Sequence, residues 1–272
     1  LREGIGALAK ERLSKSNIRF RKPDCTEYLE YIGDFFRFVM NRPRRNASEN
    51  RKKWLSGWQE NYDLVRKKGV SEETCRPRYF RGSKYLRLKG DIVVTPNVML
   101  ENDLLQIVRR FLFYRFLRGY EEIHEFGSGS GANLLTLSQM FPSKKIIGYD
   151  WVMPAVRIAR EIGIQTGRKV DGRRLNMLKP DFSLKASPGS AVVTVHAMEQ
   201  LGRQHDAILE TLIKMKPALV VNYEPVMELY NEKNTFDAMA MWYSRERGYL
   251  DGYLTSLRRM ESKRKLKILH CC

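Results

Sequence analysis

The sequence predicts an α/β fold: a doubly wound, mainly parallel sheet preceded by a helical extension. Three observations predict it. From residue 121 onward, short apolar runs alternate with helical stretches of about ten residues, the beat of βαβ units. A glycine-rich turn, GSGSG at 127–131, joins the first of those runs to a helix. Before residue 121 no strand–helix beat is present, and apolar residues recur instead at helical spacing.

Taken in order, 25–41 places apolar side chains at 28, 29, 32, 35, 36 and 39, a helical stripe. Pro43 and RRNASEN then read as a loop. Residues 51–68 repeat the helical pattern with Trp54, Leu55, Trp58, Tyr62 and Val65, and these aromatics read most simply as core. Residues 71–98, with two prolines and two glycines, read as irregular apart from a short strand in DIVVTP at 91–96. From Glu101 to Arg118 runs a basic amphipathic helix. It could lie on a membrane surface, but covering one face of a sheet is the stronger reading.

In the second part, strands are expected at 121–126, 144–151, 172–178, 190–197 and 217–225. Helices are expected at 132–141, 154–163, 205–215, 234–247 and 249–262, and the terminal KLKILH reads as a sixth strand. Residues 1–120 therefore form a basic, mainly helical region suited to binding an acceptor or acting as a lid. Residues 121–272 form the ligand-binding domain.

Charge and composition narrow the class. The chain has 272 residues, 49 Lys+Arg against 31 Asp+Glu, net +18, with 43% apolar residues. That is a globular mixture of sufficient length to bury a core without disulfides or metals. Apolar stretches fall short of the ~20 residues of a membrane helix. The four cysteines form no C-x-x-C pair and no zinc spacing, so a reducing, cytoplasmic setting without a structural metal is expected. Residues 1–120 carry 27 basic and 14 acidic side chains, net +13. Basic groups such as Arg42, Arg44 and Arg45, or Arg51, Lys52 and Lys53, suit an anionic partner. Nucleic acid, a phosphorylated small molecule and an anionic lipid surface all fit, as does a merely solvated basic face.

The most informative stretch is Glu125 followed by Gly127, Ser128, Gly129 and Gly131. Glycines let the chain turn sharply and let a ligand reach the backbone, while the helix N-terminus offers unpaired N–H groups. Nineteen residues after Gly131 the next strand ends in Asp150, placed to accept hydrogen bonds from a ribose diol. Trp151 beside it suits packing against adenosine or the core. GSGSGA also satisfies the relaxed dinucleotide pattern G-x-G-x-x-G/A, so a nicotinamide-dependent oxidoreductase stays in view. The carboxylate of Glu125, two residues before the first glycine, suits instead the amino group of S-adenosylmethionine.

With these residues in hand, the chain resembles the class I S-adenosylmethionine-dependent methyltransferases. E-x-G-x-G-x-G at 125–131 matches their first motif and Asp150 the acidic end of their second strand. The resemblance spans roughly 121–225 and implies a Rossmann-like methyltransferase fold with S-adenosylmethionine as cofactor. It implies adenine contacts from Asn176 and Met177, and a methyl-transfer site at His196. An Asn where the family usually has an acidic residue is a departure. A narrower resemblance, in VHAMEQLG (195–202), NYEPVMELY (222–230) and WYSRERGYLDGYL (242–254), is to a family of sugar O-methyltransferases. It implies that Glu199, Glu224, Tyr243 and Arg247 line an acceptor pocket. The family sheet closes with a seventh strand, whereas this sequence reaches about a sixth.

Transfer to a hydroxyl needs a general base within hydrogen-bond reach. His196, with an ordinary pKa near neutrality, is the first candidate; Glu199 in a partly apolar pocket is the second. Structural readings stand beside these roles: a core-edge histidine for His196, a salt bridge to Arg203 for Glu199, and a stacking pair for Tyr243 and Arg247. The D/N-P-P-Y tetrapeptide of amino-group methyltransferases is missing, and HAMEQ stands in its place, which favours oxygen as the acceptor atom. The expected function is O-methylation of a small molecule, a sugar or glycoside, and the basic N-terminal surface suits a phosphate-bearing acceptor. An RNA methyltransferase gripping phosphates with residues 1–120 is the alternative, ahead of a non-catalytic interaction module.

Overall fold

A computed structural model of the chain describes residues 7–41, 47–78, 82–181 and 183–272, with 7, 8 and 47–51 described by backbone alone. The Arg42, Arg44 and Arg45 group lies outside the described residues. The N-terminal part holds α1 (Ala7–Lys15), α2 (Cys25–Met40), α3 (Ala47–Lys68) and α4 (Leu100–Leu117), with a hairpin of β1 (Tyr85–Leu88) and β2 (Asp91–Val94) before α4. Helix α2 starts where the local chemistry dictates. Asp24 accepts the backbone N–H of Glu27, and the Glu27 side chain reaches back to the Asp24 N–H, a reciprocal cap.

The sheet comprises β3 (Glu122–Phe126), β4 (Lys145–Asp150), β5 (Val170–Arg174), β6 (Ala191–Val195) and β7 (Leu219–Tyr223). Helices α5 (Ala132–Met140), α6 (Met153–Thr166) and α7 (Asp206–Met215) alternate with them, and α8 (Thr235–Arg247) and α9 (Tyr253–Ser262) follow. All strand pairs in it are parallel, in the order β5-β4-β3-β6-β7. The chain is thus a doubly wound α/β protein with a helical N-terminal part. Strand order reverses between β3 and β6, and a crevice opens there at the carboxyl ends of the strands.

The period-two alternation of the strands separates two cores. Ile123, Ile146, Ala191 and Val193 pack under Phe113 and Leu117 of α4, Leu134 and Leu137 of α5, and Ile158 and Ile162 of α6. Phe126, Ile147, Tyr149 and Val192 face the other way, against Ile208, Leu209 and Leu212 of α7 and Tyr253 and Met260 of α9. Helix α4 therefore does cover one sheet face.

Four expectations change. Helix α3 begins at Ala47, inside the RRNASEN run expected as a loop. The KLKILH tail is irregular, and no strand is found there; Leu266 packs against the second core, and the Ile268 N–H donates to the Glu261 side chain. The third strand starts at Val170 and ends at Arg174, which frees 175–178 as a loop at the site. Residues 71–98 are more regular than their prolines suggest. Tyr85 to Leu88 pair with Val94 to Asp91, and Arg21 exchanges backbone hydrogen bonds with Val94 at 3.0 and 2.9 Å.

The N-terminal helices also meet the C-terminal ones. Tyr28 stacks on Phe236 at 5.8 Å, Phe36 meets Trp242 at 5.5 Å, and Phe38 stacks on Tyr243 at 5.8 Å. Arg87 pairs with Asp237 at 2.7 Å. On the opposite side, Arg66 at the end of α3 pairs with Glu161 of α6 at 2.9 Å.

Candidate functional site

Four strands of the sheet, β3, β4, β5 and β6, end at one cavity of about 650 Å³. The turn after β3 enters it through Gly127, Ser128 and Gly129. Gly127 and Ser128 both donate their backbone N–H to the Tyr149 carbonyl, at 2.8 and 2.9 Å. That brings the turn against the end of β4. Gly127 has φ +78°, and a Cβ there would sit 2.3 Å from the Ala197 Cβ. Gly129 has φ +50°, and its Cβ would sit 2.9 Å from the Trp58 indole. Both positions demand glycine for conformation and for space.

Asp150, at the end of β4, lines the cavity and steadies the turn. One oxygen accepts the Gly129 N–H at 3.0 Å and the other the Val152 N–H at 3.2 Å. Burial pushes its carboxyl up to about 6, against the lowering effect of these backbone bonds. Trp151 lines the cavity beside it and packs with Trp54 against Trp58, Val152 and Ala155. Asn176 and Met177 lie on the wall in the loop after β5. The Asn176 side chain accepts the Leu178 N–H at 3.1 Å, which holds that loop.

Beside the glycine turn, the segment after β6 carries His196 and Glu199, both on the wall. His196 has φ +53°, a conformation uncommon for a residue with a side chain. Its Nδ1 lies 3.5 Å from Glu199 Oε2, and its ring meets Tyr223 edge-on at 5.4 Å. Burial disfavours the charged ring, but the Glu199 bond and the Glu199 and Glu224 charges outweigh it and raise the pKa above the ordinary value. Glu199 accepts from Gln200 Nε2 at 2.8 Å. The expected Arg203 partner instead pairs with Asp251 at 2.5 Å, because the segment after Met198 is a short 3₁₀ turn, not an α-helix.

Tyr243 of α8 also lines the cavity. Four other residues expected at the site stand behind the wall. Glu125 is fully buried beneath the glycine turn. Its Oε1 accepts from Asn133 Nδ2 at 2.5 Å, and its Oε2 has no hydrogen-bond partner. Burial pushes its carboxyl up to about 8, opposed by the Asn133 bond and the Arg109 charge. Gly131 caps α5 with φ +78°, facing Ile158 and Ile162. Glu224 reaches under the His196 segment and accepts the backbone N–H groups of Ala197 and Glu199. Arg247 lies over the Phe38 and Tyr243 rings at 5.4 Å each.

The N-terminal part contributes wall residues that sequence reasoning assigned to a core or left unassigned. Phe38, Lys53, Trp54, Trp58, Glu101, Leu105 and Arg109 all line the cavity. Trp54 and Trp58 stack at 5.3 Å, one helical turn apart. Their i, i+4 spacing was visible, but the same spacing serves a core and a pocket wall equally. Among the described residues, no group of three His, Cys, Asp or Glu could hold a metal ion. None of the described helices is long and apolar enough to cross a membrane.

No family model matches the chain, and none of the curated proteins does. Solved structures do resemble it. An O-methyltransferase family 2 protein from Planctomyces limnophilus, solved with apigenin, aligns at 15% identity over 93% of this chain and 94% of its own, with a TM-score of 0.44. Human N-acetylserotonin methyltransferase, solved with SAM, aligns at 14% identity over 59% of this chain and 48% of its own, with a TM-score of 0.38. PKMT2 from Rickettsia typhi, solved with AdoHcy, aligns at 21% identity over 36% of this chain and 19% of its own, with a TM-score of 0.31. Two further solved chains are spanned over 56% and 51% of their length. Each is a likeness.

Proposed function

We propose that the chain is an S-adenosylmethionine-dependent methyltransferase acting on a hydroxyl of a small molecule, a sugar or glycoside. One observation carries the reading. A glycine turn that no Cβ could enter, an acidic strand end and a His–Glu pair share a single cavity at the switch point of a parallel sheet. The residues fit the cofactor. Gly127 and Gly129 bring bare backbone to the cavity wall, the space of a Cβ being taken by Ala197 and Trp58; Asp150 would accept from a ribose diol, and Asn176 and Met177 would meet an adenine edge. When bound, the sulfonium supplies an activated methyl group and a good leaving group.

The chain's own residues then have three tasks: to orient the acceptor, to exclude water and to take a proton. Orientation falls to the aromatic wall of Phe38, Trp54, Tyr243 and Tyr249, whose flat faces suit the apolar face of a sugar ring. Burial of that wall excludes water. Proton removal falls to His196. Its Nδ1 faces Glu199, which leaves Nε2 to take the hydroxyl proton, while the Glu199 carboxylate stabilises the imidazolium that results. Residues 1–120 act as the acceptor-binding part, since α2, α3 and α4 supply Phe38, Trp54 and four further residues of the wall besides Trp58.

Calorimetric titration with S-adenosylmethionine and, separately, NADH tests the cofactor. Binding of the sulfonium compound alone, lost in Asp150→Ala, is the expected result; binding of NADH alone would make the chain an oxidoreductase instead. A second reading, an RNA methyltransferase, is favoured by the net +13 of residues 1–120 and by Lys53 on the cavity wall. Steeply salt-dependent RNA affinity would select it.

A further inference from the structure

Helix α2 carries two apolar rows, and the fold covers one of them. Tyr28 and Tyr31 meet Phe236 at 5.8 and 5.9 Å, Phe35 meets Trp242 at 5.9 Å, and Val39 is buried. Leu29, Phe36 and Met40 each follow one of these by a single residue and so form a neighbouring row, with Gly33 among them. Leu29 is 71% exposed and Met40 77%. Phe36 touches the Trp242 ring and is still 42% exposed. A contiguous apolar face of this kind marks a contact surface.

Gly33 sits in that row without a reason internal to the described chain. A Cβ there would meet nothing within 4 Å, and glycine is, after proline, the poorest helix former. Its missing side chain leaves a hollow between Leu29 and Phe36. The row also reads alike from either end, since its members are four, three and four residues apart. A second copy of α2, antiparallel across a two-fold axis between Gly33 and Phe36, therefore sets each Phe36 over the other copy's Gly33. The same axis sets each Leu29 against the other copy's Met40. Such self-complementarity is what an isologous interface requires.

Charge selects the same arrangement. Glu30 and Arg37 flank the row on one side, the acid nearer its start and the base nearer its end. Antiparallel pairing brings each Arg37 toward the other copy's Glu30, whereas parallel pairing would set like charges together. Within one chain Glu30 pairs with Lys84 and Arg37 with Asp34, all of them exposed, and exposed pairs are weak enough to share a further partner.

We propose that the outward face of α2 is the interface of a homodimer, with Phe36 of each copy seated on Gly33 of the other. Because α2 also places Phe38 on the cavity wall, association steadies the N-terminal side of that wall.

Sedimentation velocity across the micromolar range tests this and needs no ligand. The unmodified chain should sediment as a dimer. Met40→Glu should raise the dissociation constant at least about tenfold. Gly33→Gln is the sharper probe: it improves the helix and meets open space in the single chain, so the melting temperature of the dilute monomer should hold or rise while the dimer weakens at least about tenfold. A purely structural glycine would give the opposite pattern. An unmodified chain that stays monomeric would overturn the inference, and binding of that monomer to phosphatidylglycerol vesicles would assign the face to a bilayer instead. A dimer that either variant leaves equally tight would place the interface elsewhere and overturn it as well.

Discussion

The indole of Trp58 lies against Gly129, so that a Cβ at position 129 would meet its Cζ2 at 2.9 Å and its Cε2 at 3.2 Å. One residue belongs to an N-terminal helix and the other to the turn after β3. Both line the cavity, and their contact bounds it on that side, with Trp58 only 8% exposed.

Substitution Gly129→Ala should therefore fail on two counts. It forces a side chain into left-handed backbone, at a cost of about 1–2 kcal/mol, and it displaces Trp58. Trp58→Ala should itself destabilise the fold by about 3 kcal/mol. In the double variant the steric part is relieved but the backbone part is not, so the two losses should sum to more than the measured loss. Urea denaturation of the three variants reads this, and strict additivity would refute the contact.

His196 and Glu199 predict a pH signature. As a base, His196 must be neutral to act, so activity should rise with pH through its pKa. Burial opposes protonation, yet Glu199 and Glu224 raise that pKa above the ordinary value. Glu199→Gln removes one of the two raising charges and should move the ascending limb to lower pH. His196→Ala should lower turnover about 10²-fold or more while leaving donor affinity intact. An unshifted limb in Glu199→Gln would exclude His196 as the titrating base.

Glu224 carries the next prediction. Its two oxygens accept the N–H groups of Ala197 at 3.0 Å and Glu199 at 3.2 Å, on either side of Met198. Glu224→Gln presents one donor where an acceptor is needed, which leaves one of these N–H groups unpaired. We expect faster amide exchange across 196–199 and a lower turnover with donor affinity retained. Unchanged exchange would show that the carboxylate does not hold the segment.

Stability of the ligand-free chain should fall as pH rises. Glu125 titrates near 4.3 when unfolded and is pushed up to about 8 by burial in the fold. Between those values the folded state binds more protons than the unfolded one, so each rise in pH favours unfolding. Below the lower value the effect is absent. Asp150, pushed up to about 6, adds to the slope over the lower part of the range. Glu125→Gln should flatten the curve; melting temperatures at pH 5, 6, 7 and 8 would show parallel curves if the burial of that carboxyl carried no such linkage.

Much of the site was legible in the sequence because it is local. The glycine turn, Asp150, Asn176, Met177, His196 and Glu199 each follow a strand whose apolar run is plain in the chain, and strand ends of a parallel sheet converge by topology. Glu125 and Glu224 were legible as residues near the site but not in their roles, since which atoms they meet depends on the Asn133 amide and on backbone groups brought from other segments. Phe38, Trp54, Trp58 and Arg109 were not legible as site residues. Their helical spacing is that of any buried stripe.

What the sequence by itself determined is the alternation of elements, the place of the turn and the acidic strand end, because these follow from residue periodicity and from glycine's access to positive φ. Only the tertiary structure decided that α2, α3 and α4 contribute to the wall of the cavity, that Asn133 stands between Glu125 and the cavity, and that the last residues add no strand. Those outcomes depend on which face each helix turns toward the sheet. That choice is made by packing between residues far apart in the chain, such as Trp58 with Gly129 and Phe38 with Tyr243, which local preferences do not specify.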